Sequence, residues 1–220
     1  MRAHHVTAAA AGAVLLLAGC TSSGMPADQE AETAPEPEPE ATEEETEAAE
    51  EDLDDRLVSG PDATGAFIDP DGQEVGTVEL FETDDGTEVR VEVSGAQPGF
   101  HGLHVHEIGR CEPDSSPPDD PEETGAFLSA GGHLDPGGAD HGDHAGDLAP
   151  LLVTGAGRGV STQLTDRFTV ADLQEGEGAA LMIHSDRDNL AHIPERYGQP
   201  DEDTLATGDA GGRVACAVLD

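Results

Sequence analysis

The chain contains no lysine, and its nine arginines face 48 acidic residues, leaving a formal net charge of −39 over 220 residues. That balance excludes nucleic acid as a partner, because a phosphate backbone is held by clustered cations. Long apolar runs are scarce too. The one present, residues 8–18, follows Arg2 and is too short to span a bilayer. Cysteine is limited to three residues, Cys20, Cys111 and Cys216, and none sits in the C-x-x-C spacing of redox exchange. Sustained 3.6-residue periodicity is missing, which argues against a helical domain.

The amino terminus divides into two short regions. Residues 1–19 read as a targeting segment, with a positive end, an apolar run and small residues before Cys20. Leu17-Ala18-Gly19-Cys20 resembles a bacterial lipoprotein box, in which Cys20 becomes the lipid-bearing first residue and ties the protein to a membrane. An ordinary secretory signal with an incidental cysteine is the plainer alternative. Residues 20–57 follow as an acidic tether: between Asp28 and Asp55 there are fifteen acids and no base. Such a segment buries too little to offset the entropy of ordering and should be a self-repelling spacer. Its 37 residues beyond Cys20 reach roughly 100 Å when extended at about 3.1 Å each.

Residues 58–220 are one domain's worth. Asp69-Pro70-Asp71-Gly72 and Asp84-Asp85-Gly86 are turn signals, and Glu88-Val-Arg-Val-Glu-Val93 between turns alternates with its valines inward. Further strands are expected at 67–68, 75–82, through His104, and at 148–153, 160–164, 180–184 and 214–219. About eight short strands with frequent turns predict an all-β antiparallel sandwich or barrel. Two long stretches, 112–149 and 185–212, lack strand signal, and loops of that length inside a domain are expected to be functional.

Histidine is concentrated where chemistry is expected. Residues 99–147 hold six of the ten histidines. In Gly102-Leu-His-Val-His-Glu107, strand alternation puts His104 and His106 on one face and Val105 in the core. Residues two apart on a strand are about 6.6 Å apart, from which two imidazoles can lean onto one ion. His133, His141, His144 and Asp147 follow in a Gly- and Asp-rich stretch that metal ligation could fix in place.

These residues, taken in order, resemble the copper/zinc superoxide dismutases, and the resemblance runs from about residue 63 to 219. It implies a Greek-key β-barrel and dismutation of superoxide at a copper centre braced by zinc. His104, His106, His133 and His184 would be the copper ligands, the last within LMIHSDRDNL. His133 would be the imidazolate shared with zinc, moving a proton in catalysis, and His133, His141, His144 and Asp147 would hold the zinc. Asp188 corresponds to a carboxylate that links a copper histidine to a zinc histidine, here expected to be His106 and His141. Arg213 corresponds to the arginine that guides and orients the anion. Cys111 and Cys216, the even pair left when Cys20 carries lipid, correspond to the family's disulfide.

Several expectations depart from that pattern or stand beside it. Only Gly142 and Asp143 separate His141 from His144, a spacing shorter than in well-known members, which leaves open that one of the two binds with Asp140 or Asp143 substituting. His101 should be structural, and His192 an exposed loop residue. From residue 61 onward there are 33 acids against seven arginines, a net of −26, so the surface repels an anionic substrate at long range while metals and Arg213 attract it locally. If the local field controls capture, the rate falls with ionic strength; a rising rate would show that repulsion wins. The acidity fits a saline habitat, with codon bias toward arginine as the alternative. A homodimer is left open. The competing function is a non-enzymatic copper-binding lipoprotein that buffers metal on the same fold; a disulfide-braced adhesion module would not explain the ordered histidines.

Overall fold

Turn chemistry sets the first half of the fold. In the computed structural model, which describes residues 60–220, the Asp69 carboxylate accepts from the backbone N–H of Asp71 at 3.0 Å and of Gln73 at 2.8 Å. This Asx turn reverses the chain between β1 (Ala63–Ile68) and β2 (Glu74–Thr83). The Asp84-Asp85 turn leads into β3 (Gly86–Ser94), whose Val89, Val91 and Val93 are all buried. The remaining strands are β4 (Gly99–His101), β5 (Leu103–His106), β6 (Leu151–Val153), β7 (Arg158–Thr165), β8 (Ala180–His184) and β9 (Arg213–Val218). A single helical turn, α1 (Val170–Leu173), joins β7 to β8, and its Thr169–Asp172 capping box satisfies the first backbone donors.

The strands form one antiparallel sheet in the order β4-β6-β7-β3-β2-β1-β9-β8-β5. Its two ends, β4 and β5, are separated in sequence by Gly102 alone, so the chain itself closes the sheet into a barrel. Gly102 donates to the Asp186 carbonyl and accepts from the His184 N–H, both at 2.9 Å. A Cβ there would lie 2.7 Å from that of Ala210. The single strand expected through His104 is therefore two, and the barrel has nine strands rather than about eight. The strand expected at 148–153 begins only at Leu151, although Leu148 is still buried.

Strand alternation decides which side each residue serves. Leu103 and Val105 of β5, with Leu181 and Ile183 of β8, fill the barrel beside Phe67, Val78 and Leu80. The alternate residues point out of the barrel, yet β5 and β8 are buried on that side as well. Ala180, Met182 and Cys216 pack there under Phe127 and Ala130 of the first long loop, whose only helical turn is Leu128–Ala130. The second loop carries a turn at Glu195–Tyr197 and the helix α2 (Glu202–Thr207), capped by Asp201. Cys111 and Cys216 are bonded, with Cα atoms 5.6 Å apart, and pin the first loop to β9. The expected leader, Cys20 and the acidic tether lie outside the described residues, among which no helix is long and apolar enough to cross a membrane.

Candidate metal centre

His104 and His106 project from the outer side of β5 into the space roofed by the two loops, and His184 reaches the same space from β8. The partners of each ring fix which nitrogen stays free. His106 Nδ1 donates to the Gly131 carbonyl at 2.9 Å and His184 Nδ1 to the Gly211 carbonyl at 3.0 Å. Their Nε2 atoms are left facing each other at 3.4 Å. His104 is turned the other way, its Nε2 donating to Asp188 Oδ2 at 2.8 Å and its buried Nδ1 having no hydrogen-bond partner. Donor atoms of His104, His106, His133 and His184 all lie within 4.8 Å of one another.

A second cluster shares His133. Its Nδ1 lies 3.0 Å from Asp147 Oδ1 and 3.3 Å from His144 Nδ1. His141 Nδ1 is 3.2 Å from the same Asp147 oxygen, buried and without a hydrogen bond, while His141 Nε2 donates to Asp188 Oδ1 at 2.8 Å. The other oxygen of Asp147 accepts from the backbone N–H of Gly142 at 2.7 Å and of His144 at 3.2 Å, which turns Oδ1 toward the cluster. His104 also falls within 4.8 Å of His133, His141 and Asp147, but with Nε2 committed to Asp188 its single free nitrogen can serve one ion, not both. His144 is the better fourth member by its contacts with His133 and Asp147.

These separations fit metal ions. Donors arranged tetrahedrally about an ion at about 2.0–2.1 Å sit roughly 3.3–3.4 Å apart. Among the described residues, three buried side-chain polar atoms lack a partner; two are His104 Nδ1 and His141 Nδ1, each aimed into one cluster, and the third is Ser129 Oγ. An unpartnered buried donor or acceptor costs about 1–3 kcal/mol, which a bound cation would remove. An all-imidazole set suits copper in either oxidation state, and three imidazoles with a carboxylate suit zinc.

The electrostatics agree for the cluster of His106, His133 and His184. Burial above all holds His106 well below its ordinary pKa, with Arg213, His133 and His184 adding to the effect. Burial likewise brings His133 down to about 4 and His184 to about 3, so these rings are neutral at neutral pH, as ligation requires. For His141 burial is the largest influence and acts downward, but the Asp147 and Asp188 carboxylates beside its two ring nitrogens together outweigh it and raise the group to about 9, so an ion bound at this ring must displace a proton. Burial is outweighed at both carboxyls, at Asp147 by the His133 and His141 rings and at Asp188 by the His104 and His141 rings, and both are held below the usual carboxylate range.

One expected link is corrected. Asp188 bridges His104 to His141, not His106 to His141. His106 ends β5 beneath the first loop, where the Gly131 carbonyl takes its Nδ1, whereas His104 faces the loop after β8 that carries Asp188. The short spacing after His141 does not separate the two rings: both reach Asp147, while the Asp143 side chain is exposed beside Arg167 and Asp140 lines a surface cleft. His101 is buried, its ring nitrogens 2.7 Å from the His184 carbonyl and 2.8 Å from that of Gln97, and His192 is exposed.

Two contributors carry no signal in the sequence. Arg167 donates to the carbonyls of Gly142 at 3.1 Å and His144 at 3.0 Å and so braces the loop of the second cluster. Gly208, in the left-handed region at φ 61°, covers the Asp188 bridge, and a Cβ on it would sit 2.2 Å from both Asp188 Oδ1 and His141 Nε2. Arg213 is anchored to the carbonyls of Phe127 and Gly131. Burial lowers its pKa to about 10 against the raising effect of Glu123, so it keeps its charge. With His106, His133 and His184 it lines an open cleft of about 810 Å³.

A nearly closed β-barrel with two adjoining clusters of metal-ligating side chains that share one imidazole defines the class of a binuclear metalloprotein with a solvent-facing site. The family model for copper/zinc superoxide dismutase matches residues 74–219, and the chain belongs to that family, whose members use copper and zinc. The superoxide dismutase [Cu-Zn] of Mycobacterium tuberculosis is 44% identical over 166 residues, covering 71% of this chain and 69% of that protein. The Mycolicibacterium paratuberculosis enzyme is 39% identical over 223 residues, covering 95% and 94%. Among solved structures, the Cu/Zn superoxide dismutase from Brucella abortus is 30% identical with a TM-score of 0.55, covering 72% of this chain and all of that one. The Cys111–Cys216 bond suits an oxidising, extracytoplasmic compartment.

Proposed function

We propose that this chain dismutes superoxide, two superoxide ions and two protons giving one dioxygen and one hydrogen peroxide, with His104, His106, His133 and His184 holding copper and His133, His141, His144 and Asp147 holding zinc. The observation that carries the reading is the sharing of His133: its Nδ1 belongs to the Asp147 cluster, which leaves Nε2 for the cluster of His104, His106 and His184. Copper supplies a one-electron carrier that superoxide can alternately reduce and reoxidise, and zinc a fixed charge without redox chemistry. The chain supplies the rest. Arg213, held by two backbone carbonyls, presents a charged donor at the cleft to draw in and orient the anion. His133 Nε2, at the cleft wall, is placed to carry a proton to the reduced product. Asp188 locks one ring of each cluster and so couples their orientation.

Dismutation by the purified protein loaded with copper and zinc, before and after His184→Ala, tests the reading. We expect activity to fall at least a hundredfold with loss of copper; unchanged activity rejects the copper site. A protein that binds copper without turning over superoxide would point to the buffering function instead.

We further propose a lipid anchor at Cys20 on the outer side of a bacterial membrane, supported by the residues before it and by the disulfide. Cys20→Ser should then move the protein from the membrane to the soluble fraction; retention at the membrane contradicts the anchor. A homodimer would most economically meet through the outward face of β4, β6 and β7, where Phe100, Leu152 and Val160 are exposed, and Leu152→Glu would then halve the mass measured by sedimentation.

A further inference from the structure

The sulfurs of Met182, Cys111 and Cys216 gather in one place. On the outer side of the sheet, direct cross-strand pairing sets His104 of β5 beside Met182 of β8, Met182 beside Cys216 of β9, and Cys216 beside Ile68 of β1. Side chains paired in this way share a face, with Cβ atoms about 4.5–5.5 Å apart. Met182 and Cys216 are fully buried in the small cluster under Phe127, and Cys111 packs against it from the first loop. Met182 has no part in the dismutase site. Its cluster lies between two different surroundings. On one side stands His104, whose Nδ1 has no hydrogen-bond partner. On the other, Cys111 lines an open surface groove of about 630 Å³ whose charged members are both carboxylates, Glu79 and Asp220.

We propose that, before the Cys111–Cys216 bond closes, these three sulfurs form a capture site for one cuprous ion, with Cys111 and Cys216 as thiolates and Met182 as a thioether. The two cysteines are 105 residues apart, so every newly made chain passes through a state with both thiols free. Thiolate and thioether ligands are soft and select Cu(I), whereas imidazole also suits Cu(II). On binding, the two thiols give up their protons to solvent, the ion takes the two thiolates, and the Met182 sulfur adds as a neutral third ligand; no electron changes hands. The groove lets the ion reach Cys111, and its two carboxylates favour a cation there. Met182 then stands between Cys216 and His104, whose backbones are two strand spacings apart, roughly 9–10 Å. In the disulfide-bonded chain both thiolates are gone, and the imidazoles of the copper cluster are the stronger site. The sulfur site is independent of superoxide turnover; only onward passage to His104 rests on the copper site proposed above.

The test uses the full-length chain with Cys20→Ser, so that Cys111 and Cys216 are its only thiols, metal-free and reduced with oxygen excluded. Cuprous ion is titrated in competition with a chromophoric cuprous chelator, and X-ray absorption at the copper edge reads the ligand atoms. We expect one equivalent to bind with sulfur in its first shell. Met182→Leu, a swap of similar volume, should keep the fold. It should lower cuprous affinity by about tenfold or more, since losing even an outer partner of a metal ligand costs about 10- to 100-fold. The disulfide-bonded chain should show nitrogen in place of thiolate sulfur. His184→Ala should keep the sulfur shell in the reduced chain, so failure of this site and failure of the dismutase site are read separately. A first shell of nitrogen alone in the reduced chain overturns the proposal. So does a Met182→Leu chain that binds as tightly as its parent, which is also the result if the reduced chain folds too loosely to form the site.

Discussion

His104 and His106 lie two residues apart on one strand, yet different nitrogens are left free, because Asp188 claims Nε2 of one and Gly131 claims Nδ1 of the other. Which side chains gather was legible in the sequence, since strand alternation and the GGHLDPGGADHGDHAGD run place acids and imidazoles at short spacing. Ring orientation was not. It depends on which backbone carbonyl or carboxylate arrives from 25 to 84 residues away, and for that reason Asp188 was expected on His106 rather than His104. Gly208 shows the same dependence, because nothing local marks it as the cover of the Asp188 bridge. A methyl group there must displace Asp188 or His141, in a backbone conformation that L residues rarely adopt. Gly208→Ala should weaken zinc binding by about 10- to 100-fold, the range for losing an outer partner of a metal ligand. Competition with a zinc chelator measures this directly, and an unchanged affinity would show that the bridge can yield without cost.

At the scale of elements, the strands followed from turn residues and two-residue periodicity, and β1 to β3 formed where Asp69-Pro70-Asp71-Gly72 and Asp84-Asp85-Gly86 placed them. The split between β4 and β5 escaped notice because Gly102 interrupts a run that alternates on both sides of it. The long loops were recognised only by their lack of pattern; their packing follows from long-range contacts, among them the Cys111–Cys216 bond and the Arg213 contacts with Phe127 and Gly131. The bond spans 105 residues, and closure of a loop near 100 residues is worth about 4.7 kcal/mol in the chain-entropy model. Replacing both cysteines by serine should cost about 2–5 kcal/mol in urea unfolding of the metal-free protein. Because the same loop supplies the carbonyls that anchor Arg213, kcat/KM should fall further than copper content does. Equal losses of the two would mean that the bond stabilises the barrel without positioning the arginine.

At the scale of the whole molecule, an acidic surface surrounds a site built to receive an anion. The domain's excess of carboxylates was plain in the sequence, but their concentration at the mouth of the copper cleft was not, since Glu123 and Asp203 are 80 residues apart in the chain and meet only through the folding of two loops. The barrel and its two loops gather Arg213 with His106, His133 and His184 at one cleft, where a local positive charge meets the acidic surface. The proposed chemistry depends on two ions sharing the His133 ring. Anomalous diffraction from crystals of the protein loaded with copper and zinc, collected on either side of each metal's absorption edge, tests that claim most directly. The account predicts a copper peak bounded by Nδ1 of His104 and Nε2 of His106, His133 and His184, and a zinc peak on the other side of His133 bounded by His141, His144 and Asp147. A single metal peak, or a copper peak away from His184, would contradict it.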